Sequence, residues 1–202
     1  VLCVLWRKHL AMDAAQVQCL DRDHFILSNG HASALYYALL HLAGFALSID
    51  DLKQFRSLGS KTPGHPERDT TLGIDVATGP LGQGLANAVG IAAAKKYLAK
   101  QQACLALRQI YAVVGDGCLM EGISHEACAL AASLGLNNLV VVWDDNGISI
   151  DGDTKQWFAE DVIQRFNAYG WHVIADVDGH DPQAIDEAFI AAKKVTDRPC
   201  FI

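Results

Sequence analysis

Two polar turns, each following a short apolar run, restrict the fold of this chain more than any other feature. Residues 110–114 precede a Gly-Asp-Gly turn at 115–117, and residues 139–143 precede an Asp-Asp-Asn-Gly turn at 144–147. The β-branched and aromatic residues of both runs predict buried strands, and the apolar spacing of residues 124–134 predicts a helix between them. This order favours a parallel strand pair with a right-handed crossover. Both turns then lie at the carboxyl ends of strands, where open α/β sheets bind ligands.

Asp116 and Asn146 are the side chains of these turns that best suit a metal ion. A carboxylate and an amide oxygen are hard donors, which favour Mg²⁺ or Ca²⁺ over zinc. Mg²⁺ usually takes only one or two protein carboxylates and completes its shell with water and phosphate. The pair therefore predicts half of a site whose other half is a diphosphate. The alternative is that both side chains only cap strand ends and turns, which Asp and Asn do readily.

Composition excludes several other classes of protein. Of the 202 residues, 51% are hydrophobic and 19% charged, which is typical of a well-packed globular protein. The net charge of −7 argues against nucleic acid and anionic membranes as partners, and no apolar run is long enough to span a bilayer. The glycine order at residues 79–84 is not the dinucleotide fingerprint, so we reject a nicotinamide site. The six cysteines form no Cys-x-x-Cys pair, which favours reduced thiols in a cytoplasmic protein.

Alternating strand and helix patterns continue along the chain and predict one α/β domain over residues 1–202. Further helices are predicted at residues 31–43, 79–101, 159–169 and 182–195, and further strands at 171–175 and 199–202. The expected buried stripe of the first of these helices is Leu35, Ala38, Leu39 and Leu42. Val1 lies inside a helical pattern and Ile202 inside a strand pattern, so we expect a domain truncated at both ends.

Five sequence blocks together resemble transketolase. They are residues 27–31 (LSNGH), 61–67 (KTPGHPE), 78–84 (TGPLGQG), 115–126 (GDGCLMEGISHE) and 144–152 (DDNGISIDG). A lone Gly-Asp-Gly is a weak signal because short motifs match by chance, whereas blocks in the order of the family over most of the chain are specific. The resemblance implies the thiamine diphosphate-binding fold, a three-layer α/β structure whose parallel sheet carries helices on both faces.

The same resemblance implies a transferase activity. Transketolase moves a two-carbon ketol unit from a ketose phosphate to an aldose phosphate in the pentose phosphate pathway or the Calvin cycle. Thiamine diphosphate supplies the carbanion chemistry, with Mg²⁺ or, in its place, Ca²⁺ or Mn²⁺. This chain corresponds to the diphosphate-binding half. The glutamate that activates the aminopyrimidine lies in another domain, so we expect the chain to be inactive without a homodimer or a complementary pyrimidine-domain chain.

Residue by residue, the resemblance assigns the metal and the diphosphate to the two turns. Asp116, Asn146 and the main-chain oxygen of Ile148 match the metal ligands of the family. Gly117 and Asn146 match positions that also contact the diphosphate. A backbone ligand explains why an apolar residue can occupy position 148.

Three further side chains match functional positions, each with a plainer alternative. His31 matches a histidine near the cofactor and donor substrate, and His65 one that contacts the sugar hydroxyls and, with His31, assists proton transfer; either can instead be a surface histidine. Glu121 matches a glutamate that links carboxylates across the dimer interface, or is an acid in the first turn of a helix. One segment matches residues along the cofactor rings: Gly79, Pro80 and Leu81.

Three alternatives to a complete transketolase stay open. A dihydroxyacetone synthase shares the cofactor and differs in its acceptor. The N-terminal subunit of a split transketolase would need a partner chain for activity. A non-catalytic remnant would bind cofactor or a partner protein without chemistry.

Overall fold

A five-stranded parallel sheet forms the centre of the structure, a computed structural model that describes residues 1–102 and 104–202. The strands in chain order are β1 (His24–Leu27), β2 (Ile110–Gly115), β3 (Leu139–Asp144), β4 (Ile148–Ser149), β5 (Gly152–Asp153), β6 (His172–Val173) and β7 (Cys200–Phe201). The sheet has the order β1-β2-β3-β7-β6 with parallel pairing throughout, whereas β4 and β5 form a separate antiparallel hairpin. The predicted parallel pair is therefore β2 and β3.

Helices connect the strands close to the predicted positions. They are α1 (Leu2–Val4), continued by a π-helical turn (Leu5–His9), α2 (Ser33–Leu42), α3 (Ile49–Lys53), α4 (Gln83–Gln101), α5 (Asp116–Met120), α6 (Gly122–Ser133), α7 (Val162–Tyr169) and α8 (Pro182–Lys193), with 3₁₀ turns at Ala14–Gln16, Gly30–Ala32 and Thr154–Gln156. Helix α7 begins later than predicted because the Asp161 side chain caps it, accepting a hydrogen bond from the Gln164 backbone at 2.9 Å. Within the described residues, none of these helices has both the length and the apolar character needed to cross a membrane.

Two apolar clusters, one on each face of the sheet, confirm the three-layer arrangement. Successive residues of a strand point to opposite faces, so Phe25 and Leu27 belong to one cluster and Ile26 to the other. The first cluster packs against α1, α2 and α8, and the second against α4, α6 and α7. Because both faces are covered, the middle of the long strands β2 and β3 is apolar, and polar side chains such as His24 and Asp144 lie at the strand ends.

The predicted apolar stripe of α2 is wrong at two positions. Leu35 is 47% and Leu42 78% exposed, whereas Tyr36 and Tyr37 are buried. The tyrosines can be buried because they combine large apolar rings with a polar tip, and the Tyr37 hydroxyl donates to the Pro63 carbonyl at 3.0 Å. Helix α2 thereby anchors the Pro-Gly-His turn at residues 63–65.

Charged side chains at the amino end of β1 are paired within the chain. The Asp75 carboxylate accepts hydrogen bonds from Arg22 and from the His24 ring, with its shortest contact to each at 2.7 Å. Burial alone would raise the pKa of Asp75, but the His24 and Arg22 hydrogen bonds hold it below its usual range. Asp23 likewise uses both oxygens, accepting from the backbone of Ala11 at 2.8 Å and of Gln109 at 2.9 Å.

Candidate functional site

The two polar turns lie side by side at the carboxyl end of the sheet, as predicted. Strands β2 and β3 stay paired up to Gly115, which is opposite Asp144. Asp116 then opens α5, and its Oδ1 accepts a hydrogen bond from the indole N–H of Trp143 at 2.9 Å. Gly147 of the second turn is close enough for its backbone to lower the pKa of this carboxylate. The Asp116 side chain is therefore directed at the second turn.

Asp116 is a buried carboxylate with one unused oxygen. Its residue is 3% exposed, and Oδ2 has no hydrogen-bond partner in the part of the chain that the structure describes. Burial raises the pKa of Asp116, the Trp143 hydrogen bond opposes this, and the nearby charges of Asp145 and Asp144 raise it further. A cation stabilises a buried carboxylate oxygen that lies beside two further acids. Asp116 Oδ2 therefore fits a divalent ion as its ligand.

The amide group of Asn146 makes hydrogen bonds within its own turn. Its amide oxygen accepts from the Ile148 backbone N–H at 3.0 Å, and its amide nitrogen donates to Asp144 at 3.1 Å. The turn-capping role of the alternative interpretation is therefore present, although a carbonyl oxygen has a second lone pair for another partner. Asn146 and Ile148 are both exposed. Among residues 1–102 and 104–202, no three His, Cys, Asp or Glu side chains form a metal-binding group.

Gly117 matters for close approach and not for a tight turn. We expected the glycines at 115 and 117 to allow the chain to turn, but Asp116 starts a helix without any intervening loop. Neither glycine has a positive φ. A Cβ placed on Gly117 would lie 2.9 Å from Leu81 Cδ1 and 3.0 Å from Ser149 Oγ. Because residue 117 has no side chain, Leu81 and Ser149 can pack against the Gly-Asp-Gly segment.

Glycines at positions 30, 79 and 82 allow the remaining blocks to pack closely at the carboxyl ends of the strands. A Cβ on Gly30 would lie 2.9 Å from Thr78 Oγ1, and one on Gly79 would lie 3.4 Å from Cγ of His65. A Cβ on Gly82 would lie 2.9 Å from Cβ of Glu121. His65 and Glu121 are therefore adjacent to the glycine segment, with exposed side chains.

The remaining predicted site residues are His31, Pro80 and Leu81. His31 is exposed in the 3₁₀ turn Gly30–Ala32, where no side-chain capping bond is made by Asn29. Pro80 is exposed, and Leu81 is half-buried and packs against the second apolar cluster. These side chains belong to the blocks that meet at the carboxyl ends of the strands.

The end of β1 is fixed to the start of α4. The Leu85 backbone donates to Ser28 Oγ at 3.0 Å, and a Cβ on Gly84 would lie only 2.6 Å from Ser28 Cα. Next to this contact, Asn29 Oδ1 and Thr78 Oγ1 are buried without a hydrogen-bond partner among the described residues. Together with Asp116 Oδ2, they are buried oxygens at the carboxyl end of the sheet that have no hydrogen-bond partner among the described residues.

Trp143 is a site residue to which the sequence patterns assign no role. It is paired with Val114 in the register of β2 and β3, one position before Gly115 and Asp144. Cross-strand neighbours at a strand end are close enough for a long side chain to reach the next residue of the partner strand. That register, once a parallel pair is predicted, is the signal that identifies Trp143 as a neighbour of Asp116.

An open cavity of about 640 Å³ lies over this edge of the sheet. Its lining includes Asn29, Trp143 and the acidic turn at residues 144–146, and on another side Asp176 and His180. The second polar turn therefore faces open space, as a ligand site requires.

Comparison with known proteins finds one family. Residues 1–202 match the family described as "Transketolase, thiamine diphosphate binding domain". A relative from Cupriavidus necator, named "Transketolase, plasmid", is 57% identical over 203 residues, which is 98% of this chain and 30% of the relative. The chain spans about 30% of the length of the curated relatives it matches.

Solved structures give the same result. A transketolase from Leishmania mexicana superposes with a TM-score of 0.95 at 46% identity, covering 98% of this chain and 30% of that one. A transketolase from Pichia stipitis, solved in complex with sedoheptulose 7-phosphate, superposes with a TM-score of 0.93 at 48% identity and the same coverage of 98% and 30%. The α/β fold of this chain is thus the one those structures share over the matched part.

Proposed function

The chain belongs to the transketolase family, and from this membership we propose that it holds the diphosphate of thiamine diphosphate and a Mg²⁺ ion for two-carbon ketol transfer between sugar phosphates. One observation carries the metal assignment. Asp116 has a buried Oδ2 without a partner among the described residues, and its Oδ1 is bonded to Trp143, which directly precedes the turn at residues 144–147.

In this proposal the two turns hold the ion with oxygen atoms alone. Asp116 Oδ2, Asn146 Oδ1 and the Ile148 carbonyl oxygen are the protein ligands. Water and diphosphate oxygens complete the coordination, which is the usual pattern for Mg²⁺ and also admits Ca²⁺ or Mn²⁺. Gly117 and Asn146 contact the diphosphate, as the matching positions of the family imply. When bound, thiamine diphosphate supplies the carbanion chemistry.

The exposed histidines bind the donor sugar in this proposal. His65 lies against Gly79, and His31 lies in the turn that packs on the same segment. An imidazole can donate, accept or transfer a proton near neutral pH, so both rings suit sugar hydroxyls and their proton transfers. Gly79, Pro80 and Leu81 lie along the cofactor rings.

The substrates, partners and location are proposed from the relatives and from the composition. The Pichia stipitis relative was solved with a sugar phosphate, which supports sugar-phosphate substrates of the pentose phosphate pathway or the Calvin cycle. Glu121, exposed beside Gly82, contributes to a homodimer or to the contact with a complementary chain. All six cysteines are free thiols, which supports a cytoplasmic location.

The test of the proposal is cofactor binding by the protein and its Asp116→Ala variant. The unmutated protein should bind thiamine diphosphate in calorimetric titrations with Mg²⁺ and lose this binding in EDTA. Asp116→Ala should weaken Mg²⁺-dependent binding by more than about 100-fold, because groups that only support metal ligands already contribute 10–100-fold.

Asp50→Ala is the matched control, since Asp50 is an exposed carboxylate paired with Lys53 on α3. Its binding should equal that of the unmutated protein. Circular dichroism checks that both variants fold. Ketol transfer is then assayed with and without a pyrimidine-domain chain. Equal cofactor affinity in folded Asp116→Ala and unmutated protein would contradict the metal assignment.

A further inference from the structure

A single side chain holds the carboxylate of Asp116 among the described residues. The indole Nε1–H of Trp143 donates to Oδ1 at 2.9 Å. An indole nitrogen can only donate, so Trp143 cannot itself be a metal ligand. The other oxygen, Oδ2, is buried and has no hydrogen-bond partner in the described chain. The two oxygens of one carboxylate are thus in different states before any ion binds.

The position of Trp143 is itself fixed by the sheet. Its backbone belongs to β3, pairs with Val114 on one side and donates to the Ile202 carbonyl at 2.9 Å on the other. Its ring stacks on Phe201 of β7, with the ring centres 5.9 Å apart and an angle of 27° between the planes. The indole N–H is therefore presented to Asp116 from a rigid element, which is the arrangement that keeps a ligand in one orientation.

We propose that Trp143 is a positioning residue for the metal site: by holding Oδ1 of Asp116, it leaves Oδ2 as the one oxygen of that carboxylate available to a divalent cation. This inference rests on the proposed function, because it concerns the same ion. A carboxylate fixed before binding loses less conformational freedom when the ion arrives, and a hydrogen bond to Oδ1 draws charge from that oxygen and favours Oδ2 as the ligand. Supporting groups of this kind typically contribute 10–100-fold in metal affinity.

The chain offers a matched pair of tryptophans for the test. Trp171 is also buried, and its indole donates to the Cys128 carbonyl at 2.9 Å, so Trp171→Phe loses the same kind of hydrogen bond away from Asp116. The Trp143→Phe variant keeps an aromatic ring to stack on Phe201 and loses the N–H donor together with part of the indole volume, a loss of volume that Trp171→Phe shares. We expect Trp143→Phe to weaken Mg²⁺ binding about 10–100-fold at fixed thiamine diphosphate, and Trp171→Phe to leave it unchanged.

Mg²⁺ affinity is measured by calorimetry in the protein and both variants, and thermal unfolding reports on stability. If the unmutated protein and Trp171→Phe bind Mg²⁺ and folded Trp143→Phe binds it equally well, the inference fails while the proposed function stands. If the unmutated protein binds no Mg²⁺ with thiamine diphosphate, both fail. A loss of affinity that is equal in the two variants also overturns the inference, because it would reflect general destabilisation.

A second measurement needs no change at position 143. In the unmutated protein, labelled with ¹⁵N at the indoles, the Trp143 N–H resonance should shift when Mg²⁺ and thiamine diphosphate are added. The Trp171 resonance, assigned from Trp171→Phe, should not shift. If only indoles other than Trp143 respond, Trp143 does not contact the ligand carboxylate in the bound state.

Discussion

Two largely buried carboxylates, Asp75 and Asp116, lie at opposite ends of the same sheet, and their pKa values are shifted in opposite directions. Asp75, at the amino end of β1, has Arg22 and His24 against its oxygens, and these partners hold its pKa below the usual range despite burial. Asp116, at the carboxyl end of β2, has one neutral indole donor, and burial raises its pKa. The difference is whether the fold itself supplies the counter-charge.

This contrast separates a structural carboxylate from a functional one. At the amino end the chain compensates the charge it buries, so the ion pair is complete without a ligand. At the carboxyl end it adds the charges of Asp144 and Asp145 and leaves Asp116 Oδ2 unpartnered. Under the proposed function, a divalent cation supplies the missing counter-charge at this end of the sheet.

The largest effect on stability is expected for Asp75→Ala. Removing this carboxylate leaves Arg22 and His24 buried without their partner, which should lower the free energy of unfolding by about 3–5 kcal/mol. Urea unfolding of the metal-free protein measures the loss. Asp50→Ala, which removes an exposed ion pair with Lys53, should change stability by less than about 0.5 kcal/mol. Similar values for the two variants would show that the Asp75 pairing does not stabilise the fold.

A second and smaller effect of opposite sign is expected for Asp116→Asn. Because burial raises the pKa of Asp116, the folded state favours the neutral acid, and the stability this gives is lost as the pH rises through the raised pKa. Asparagine is neutral at every pH and avoids that loss. The metal-free variant should therefore be more stable than the unmutated protein at pH 7, by less than the loss expected for Asp75→Ala.

The gain from Asp116→Asn should shrink as the pH falls through the raised pKa of Asp116, because the unmutated carboxyl is then protonated as well. Thermal unfolding in EDTA between pH 4 and pH 8 measures it. A destabilised variant at pH 7 would mean that the charge on Asp116 is already compensated inside the chain, and the contrast with Asp75 would disappear.

The smallest effect is expected for two buried threonine hydroxyls, which extend the comparison to uncharged groups. Thr62 and Thr78 are both buried, but Thr62 Oγ1 donates to the Asp51 carbonyl at 2.8 Å, whereas Thr78 Oγ1 has no partner among the described residues. Thr62→Val should lower the free energy of unfolding by about 1 kcal/mol, the net contribution of one hydrogen bond. Thr78→Val should be neutral within about 0.5 kcal/mol, because it removes only an unsatisfied hydroxyl. Equal losses in urea unfolding would show that Thr78 is hydrogen bonded in solution.

The sequence predicts the sheet better than the details of the site. Apolar runs bounded by turns predict β2 and β3 because a strand covered on both faces has no competing polar pattern. The stripe of α2 was mispredicted because Tyr36 and Tyr37 are amphipathic, and burial depends on whether the hydroxyl finds a partner such as Pro63.

The side-chain geometry of the site depends on contacts between distant blocks. Asp116 follows directly from the end of a predicted strand, so its place at the sheet edge could be inferred from the sequence alone. Its hydrogen bond to Trp143 depends on the register of two strands, and the absence of a loop before α5 depends on packing against Leu81 and Ser149. No local pattern contains that information.

The contact between Gly84 and Ser28 bears on how far a motif can be trusted as a marker of activity. With 2.6 Å between the would-be Cβ and a backbone atom, no larger residue is accommodated at position 84 unless β1 and α4 separate. A descendant that had lost its chemistry but kept its architecture would still require that glycine. Gly84 of the Thr-Gly-Pro-Leu-Gly-Gln-Gly block therefore diagnoses the scaffold, whereas under the proposed function Asp116 and Trp143 are the residues to inspect when working enzymes are sorted from decayed copies.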